Sequence, residues 1–407
     1  MAEFRIMVDP YLIPEQYKSE IELVRKTARE FAQRYFTREL AREVDHKEEF
    51  PWDLYRKAGE LGFIAATLPP EYGGGGLTTE LASAVITEEL VRADTTLGQG
   101  ILSGAFGLYA LYLFGTEEQK KQYIPPVARG EKTFFLALTE PDHGSDITQL
   151  STVAKKEGDY YVLKGIKTFI TNAPTAEYGL ILAQTEPEKG YRGQTLFLIH
   201  TDWPGVDVKP LKGKMGQRAS PLGEIRLDGV KVPKEYVVGG PEGLNKGFYW
   251  ALQYLNIGRV HVGAVALGMM LAAFDRAYDF AQKRVQFGRP IIEFQLIQQK
   301  LAEMAQLIDI SRLAVYRAHL ILDEYIKGAV EPRTMAAISS ITKVFVTENA
   351  TKVIDHAIQI LGGSGYMEEY DVERIWRDHR VTRIYEGTTE INTLTIVDSL
   401  RRGFYTL

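Results

Sequence analysis

Five polar segments, four of them punctuated by glycine, carry the side chains best suited to chemistry. They are Thr139-Glu140-Pro141-Asp142-His143-Gly144-Ser145-Asp146, Lys167-Thr168-Phe169-Ile170-Thr171-Asn172, Arg284-Val285-Gln286-Phe287-Gly288-Arg289-Pro290, Gln359-Ile360-Leu361-Gly362-Gly363-Ser364-Gly365 and Tyr385-Glu386-Gly387-Thr388-Thr389-Glu390. Each lies where a regular hydrophobic pattern stops. Backbone N–H groups freed at such breaks, joined by hydroxyl and amide side chains, can hold phosphates and the polar edge of a ring. Taken singly, each has a plainer reading. Thr-Glu-Pro is commonly a turn and Gly-Gly-Ser-Gly a helix stop. Glu386 beside a glycine would be a solvated carboxylate, and Arg284 a charge at a helix C-terminus.

The rest of the chain narrows the chemistry by exclusion. Of 407 residues, 48 are Lys or Arg and 53 Asp or Glu, a net charge of −5. That balance is a poor match for nucleic acid, whose binding rests on clustered cations. Cysteine is absent, which removes disulfides, thiolate metal sites and cysteine nucleophiles. No G-x-G-x-x-G follows a strand pattern, and neither a P-loop nor a G-x-S-x-G elbow occurs. The seven histidines show no paired spacing, so no metal site is expected. Met1–Pro10 carries Glu3 and Asp9 without a long apolar run, unlike a secretory leader. The longest stretch free of polar side chains, Val262–Phe274, is shorter than the ~20 residues that span a bilayer. The expectation is a soluble, cytoplasmic protein without a membrane span.

The elements that must position these segments fall into three regions, matching the two to three domains expected at ~150 residues each. Residues 1–132 are mostly helical: Ile21, Val24, Ala28, Phe31 and Tyr35 recur at helix spacing, and Thr116-Glu117-Glu118 reads as an N-cap with an acidic first turn. Residues 133–241 switch to short strands, with a hairpin at Gly158-Asp159, and predict a small antiparallel β-barrel. Residues 242–407 return to helix. Phe294, Ile297, Leu301, Met304 and Ile308 form one stripe and Val330–Leu361 another, predicting a four-helix bundle. The fold class is α+β, ordered helices, sheet, helices.

In this order the segments resemble the acyl-CoA dehydrogenase family of flavoenzymes, in its short- and medium-chain form, over nearly the whole chain. The resemblance rests on Leu138-Thr139-Glu140-Pro141 with Gly144-Ser145-Asp146, on Phe169-Ile170-Thr171-Asn172 and on Met215-Gly216-Gln217-Arg218-Ala219-Ser220. It continues through Phe287-Gly288-Arg289-Pro290-Ile291 with Gln295, Gln359–Gly363 and Tyr385–Thr388. It implies non-covalent FAD, a homotetramer, α,β-dehydrogenation of an acyl-CoA thioester and an electron-transfer flavoprotein as acceptor.

The resemblance also implies roles. Glu386 would be the base for the α-proton, with its own backbone N–H on the thioester oxygen. Relatives that carry the base on the helix of Arg259 would have it at Gly258, which cannot act. Leu138, Thr139 and Ser145 would line the flavin, Phe169 would lie against its ring and Thr171 would bond its edge. Arg284, Gln286, Gln295, Gln359, Gly362 and Gly363 would grip the pyrophosphate and adenosine, in part across a subunit interface, with Thr388 and Glu390 on the adenosine side. Ser145, Asn256, Arg259 and Gly387 would face the substrate, although Asn256 replaces the usual Asp. Asp142-His143 departs from the small residues usual there. The acyl pocket would lie within Leu97–Leu108 and near Tyr254, with Gly98, Gly100, Gly104 and Gly107 leaving room and Phe106 and Tyr109 filling it. Two alternatives remain: an acyl-CoA oxidase or enoyl-CoA reductase on the same fold, and a flavin-bearing DNA-binding protein.

Overall fold

The computed structural model describes residues 12–406; Met1–Pro10, read above for a leader, lies outside them. Seven helices come first: α1 (Lys18–Tyr35), α2 (Arg38–Lys47), α3 (Trp52–Glu60), α4 (Glu80–Ala93), α5 (Thr95–Ser103), α6 (Leu108–Phe114) and α7 (Glu117–Ala128). The stripe on α1 does what its spacing requires, burying Ile21, Val24, Ala28 and Phe31. Thr116 caps α7 in a reciprocal capping box with Gln119. Helix α4 is buried over most of its length, packed between α1 and the long helix α8 defined below.

Seven strands follow: β1 (Phe134–Ala137), β2 (Val153–Glu157), β3 (Tyr160–Thr171), β4 (Tyr178–Gln184), β5 (Gln194–His200), β6 (Val206–Pro210) and β7 (Leu222–Pro233). They run β1-β4-β2-β3-β7-β6, with β5 added to β4. The hairpin at Gly158-Asp159 pairs Glu157 with Tyr160 as expected. Two pairings are parallel: β1 with β4, and the single Val153–Gln184 contact between β2 and β4. Alternation reports which face of a strand is buried and carries no information on strand direction, so these two lay outside a reading of pattern.

The last region contains α8 (Gly247–Lys283), α9 (Gln295–Ile326), α10 (Pro332–Leu361), α11 (Val372–His379) and α12 (Thr389–Arg401). Helices α8, α9 and α10 pack on one another, α12 lies on α10, and α4 closes the bundle against α8 and α9. One expectation is corrected here. Segments 95–114 and 247–283 are long and apolar enough to cross a membrane, because isolated polar residues do not end a helix. Inside the protein, 89% of the apolar window in 247–283 is buried and 56% of that in 95–114.

Two of the motifs behind the resemblance prove to be clamps between regions. Asn172, fully buried at φ 66°, donates from Nδ2 to Ser103 O at 2.7 Å and Phe134 O at 2.8 Å. A Cβ on Gly216 would sit 2.3 Å from the Arg377 carbonyl carbon, and Gln217 Nε2 donates to Asp378 O at 3.0 Å. A third tie joins α1, α4 and α9. Buried Glu88 accepts from Arg25 Nη1 and Arg312 Nη2, each at 3.2 Å, and from Tyr316 OH at 2.8 Å.

Burial alone would raise the Glu88 pKa; Arg312 and Arg25 outweigh it and hold the carboxyl down at about 2. A folded pKa below the unfolded one gives stability that is complete above the ordinary carboxylate range and lost as pH falls toward 2. Glu88→Gln takes the counter-charge from buried Arg312, while Arg25 keeps its pairing with Glu89, and should cost about 3–5 kcal/mol. Urea midpoints at pH 7 would show that loss, and the difference from wild type should narrow as the pH is lowered.

Candidate active site

Glu386 stands in the irregular stretch before α12, in the left-handed region at φ 54°. Its Oε2 is buried without a hydrogen-bond partner. What faces it is Gly258 of α8: a Cβ there would lie 2.6 Å from Oε2 and 2.9 Å from Cδ. A bare helix backbone therefore makes room for a bare carboxylate. Burial raises the Glu386 pKa to about 7, against the pull of Arg259 and Lys343. The Glu386 backbone N–H also donates to nothing among the described residues.

The turn that presents this carboxylate is pinned from three sides. Arg259 Nε donates to Glu386 O at 3.1 Å. Lys343 Nζ, on α10, donates to Gly387 O. Asn392 Nδ2 donates to Gly387 O at 2.7 Å and Thr388 O at 3.0 Å, and its Oδ1 accepts from Ser340 Oγ at 2.9 Å. Arg259 and Asn256, expected at the substrate, are thus engaged inside the chain. Asn256 Nδ2 donates to Pro332 O at 3.0 Å, while its Oδ1 accepts from Arg259 Nη1 at 3.2 Å. Thr388 caps α12, its Oγ1 accepting from Ile391 N at 3.3 Å, and Glu390 is exposed in the first turn.

A second group gathers on the sheet. Lys167, wholly buried, donates from Nζ to Leu138 O at 2.9 Å and Glu140 Oε1 at 2.8 Å. Thr168 N donates to Thr139 O at 3.0 Å. These bonds lay Leu138-Thr139 beside the end of β3. There the β3–β7 register shifts between Lys167 and Ile170. Phe169 is thrown outward at φ 56°, with 64% of its surface exposed, and Thr171 follows it. Pro141 and Asp142 form the tip of a turn closed by reciprocal Glu140–His143 backbone bonds of 3.0 and 3.1 Å, which leads the chain to exposed Ser145. The unusual Asp142-His143 is part of that turn.

A third group lies on the surface. Arg284 ends α8 and lines a cavity of about 630 Å³ with Leu361, Arg276 and Tyr370. Its guanidinium makes no hydrogen bond or ion pair among the described residues. Gln286 pairs with Arg289 in a two-residue ribbon around Phe287, and Gln295 opens α9. Gln359 is exposed in the last turn of α10, and a Cβ on Gly362 or Gly363 would meet nothing within 4 Å. No hydrogen bond or ion pair among the described residues joins this group to Leu138–Thr171.

The glycines expected to open an acyl pocket do something else. A Cβ on Gly98 would meet Leu90 backbone at 2.6 Å, on Gly100 the Ala219 Cβ at 2.7 Å, on Gly104 the Tyr55 ring at 2.3 Å and on Gly107 the Leu136 Cβ at 2.6 Å. Each permits close packing, so the space is already filled. Tyr109 hydrogen-bonds Glu80, while Phe106 meets Tyr254 edge-on at 5.9 Å. Lys343 and Asn392 were not singled out from sequence. Lys343 did carry a signal, as a charged residue on the apolar stripe of α10 that continues through Val346, Ala350, Val353 and Ala357.

Gly258→Ala tests the contact between helix and carboxylate. The obstructed atom is the free end of a side chain, so the helix should keep its stability or gain up to about 1 kcal/mol from propensity. The carboxylate must move, and α-proton exchange in a bound thioester, followed by deuterium uptake, should fall by at least tenfold.

Comparison with known proteins agrees with this arrangement region by region. The acyl-CoA dehydrogenase N-terminal domain matches residues 18–131, the middle domain 136–230 and the C-terminal domain 245–401. The chain is 41% identical to the 3-(aryl)acrylate reductase of Clostridium sporogenes, over 94% of this chain and 99% of that protein. It is 37% identical to the caffeyl-CoA reductase-Etf complex subunit CarC of Acetobacterium woodii, over 93% and 98%. The solved structure of butyryl-CoA dehydrogenase from Megasphaera elsdenii superposes with a TM-score of 0.86 at 34% identity, covering 94% of this chain and 98% of that one. A chain matched by all three domains of one family, and at such identity along its whole length, belongs to the acyl-CoA dehydrogenase family of flavoproteins and is an oxidoreductase acting on acyl-CoA.

Proposed function

We propose that the protein converts an acyl-CoA thioester to its trans-2-enoyl-CoA, with Glu386 taking the α-proton and the β-hydrogen leaving as hydride. The observation that carries this is the buried, partnerless Glu386 Oε2 opposite Gly258, with a pKa near 7. Raising the carboxyl pKa to about 7 narrows the gap to a weakly acidic α-proton while leaving the group substantially ionised near neutral pH. The unengaged Glu386 N–H is placed in the same residue to hydrogen-bond the thioester oxygen as negative charge develops there.

The residues fit FAD. Phe169 offers an exposed ring platform, Gly362 and Gly363 an open cradle, and Arg284 an uncommitted cation for phosphate. Bound FAD would supply the hydride acceptor at N5. Leu138, Thr139, Ser145 and Thr171 would hold the ring side, and Arg284, Gln286, Gln295 and Gln359 the nucleotide side. Because these two groups are not joined within one chain, the nucleotide side would come from an adjoining copy in a homotetramer. Exposed Leu296 on α9 and Leu394 on α12, at 75% and 65%, supply apolar surface for such packing. The acceptor would be an electron-transfer flavoprotein, as the Etf complex named for one relative supports.

The same groups run backward as an enoyl-CoA reductase, the direction in which two relatives are named. Anaerobic mixing decides: bleaching of oxidised flavin by a saturated thioester supports dehydrogenation. Return of the oxidised flavin band when an enoyl-CoA alone is added to the chemically reduced enzyme, without bleaching in the forward sense, supports reduction.

Glu386→Gln should retain flavin yet lose proton abstraction by about 10²–10⁴-fold. In the wild type, kcat/KM should rise tenfold per unit below pH 7 as the carboxyl ionises, then level off; the variant should lack that limb. Near-normal turnover would remove Glu386 from the role. Arg284→Ala should purify with less than half its flavin while its far-UV spectrum and Tm stay those of the wild type, and full flavin content would count against the phosphate contact.

A further inference from the structure

Along α8, Tyr254, Gly258 and His261 follow one another at a turn's spacing and share the side that meets Glu386. Toward Tyr254 that side is closed: the Tyr254 hydroxyl accepts from Gly107 N at 2.9 Å, and its ring meets Phe106. In the other direction, about 4.5 Å further along the axis, stands His261. Its side chain keeps 30% of its surface, although burial holds its pKa below the ordinary value. Neither ring nitrogen makes a hydrogen bond among the described residues, and the nearest charged atom, Glu80 Oε2, is 3.9 Å away. A partly exposed imidazole that makes no hydrogen bond thus stands on the side of α8 that meets Glu386.

The groups behind it are polar. Glu80 is 2% exposed and accepts from Thr67 Oγ1 at 2.7 Å and from Tyr109 OH. The fully buried His319 ring lies 5.4 Å from that of His261. His319 Nδ1 donates to Val315 O at 2.8 Å, which leaves Nε2 as a bare acceptor with no partner. Asp323 accepts from Thr79 Oγ1 at 2.6 Å alongside Glu80, with Lys327 acting on it from the surface. The set is rich in acceptors and carries negative charge.

Resting on the acyl-CoA reading above, we propose that His261, with Glu80 and His319 behind it, forms a polar end to the acyl site that selects a neutral acyl chain bearing a hydroxyl near its tail. A hydroxyl donates to the acceptors waiting there. A plain alkyl end would leave the His261 ring and the buried His319 Nε2 without a partner, which costs more than the missing bond alone. A terminal carboxylate would meet Glu80 as a like charge.

The test uses the FAD-loaded enzyme and matched thioesters: butanoyl- against 4-hydroxybutanoyl-CoA, pentanoyl- against 5-hydroxypentanoyl-CoA, and glutaryl-CoA as the anionic case. Calorimetry on the enoyl products gives Kd, and anaerobic flavin bleaching by the saturated forms gives the rate. The hydroxylated member of at least one pair should be favoured by about tenfold or more, with glutaryl-CoA poorest. His261→Leu should bring that ratio near one and His261→Gln should restore part of it. If His261→Leu does not fold, Thr67→Val, which removes a hydroxyl holding Glu80 at constant volume, should shrink the ratio. Preference for the unsubstituted chains, or a ratio unmoved by these variants, overturns the proposal. If no thioester bleaches the flavin, the catalytic reading falls by itself, because the calorimetric ratio still decides on the polar end.

Discussion

A carboxylate oxygen kept buried and uncommitted is the constraint on which the rest of this molecule depends. An ionisable group in apolar surroundings ordinarily acquires a partner or loses its charge. Glu386 Oε2 does neither completely: no donor reaches it, and its pKa settles near 7. Such a group persists only if its surroundings are held rigidly, since a small rotation would find a hydrogen bond. The pins on its turn are therefore all directed at backbone carbonyls. Arg259, Lys343 and Asn392 bond the Glu386, Gly387 and Thr388 oxygens and leave the carboxylate free. Two of the three are cations, so they steady the loop and moderate the cost of burying the acid together.

The same economy explains the third region. Helix α8 presents Gly258 to the carboxylate, sends Arg259 to the turn and sets Tyr254 and His261 on either side. One helix thus supplies clearance, support and both borders of the site. Its position is fixed in turn by α4, α9 and α10 packed around it and by the Glu88 tie among α1, α4 and α9. The sheet meets this frame through Asn172 and Gln217, polar side chains that bond across region boundaries. The buried Lys167–Glu140 pair holds Leu138-Thr139 against the bulge that turns Phe169 outward.

Membership of the acyl-CoA dehydrogenase family accounts for the shared frame. It leaves open what this chain does with the acyl end. The proposed reaction at the α- and β-carbons needs one geometry, whereas recognition of the tail is free to vary because it lies beyond the reacting atoms. The histidines beside Glu80 are where that freedom shows.

The sequence by itself determined the order of helices, strands and helices, because apolar periodicity of 3.6 or 2 is a local property. It determined the switch to short strands near residue 133, the hairpin at Gly158-Asp159, the cap at Thr116 and the break before α12, each a matter of neighbouring residues. It also singled out Glu386 and the exposed segments around Phe169, Arg284 and Gly362, through motif order. Only the tertiary structure decided strand direction in β1–β4, the clamping work of Asn172 and Gly216, and the engagement of Asn256 and Arg259 inside the chain. It also showed that Gly98, Gly100, Gly104 and Gly107 admit neighbouring packing rather than substrate. The reason is common to all of these: a glycine, an amide or a guanidinium states what it can do, while what it does is set by the atom that arrives opposite it from a distant part of the chain.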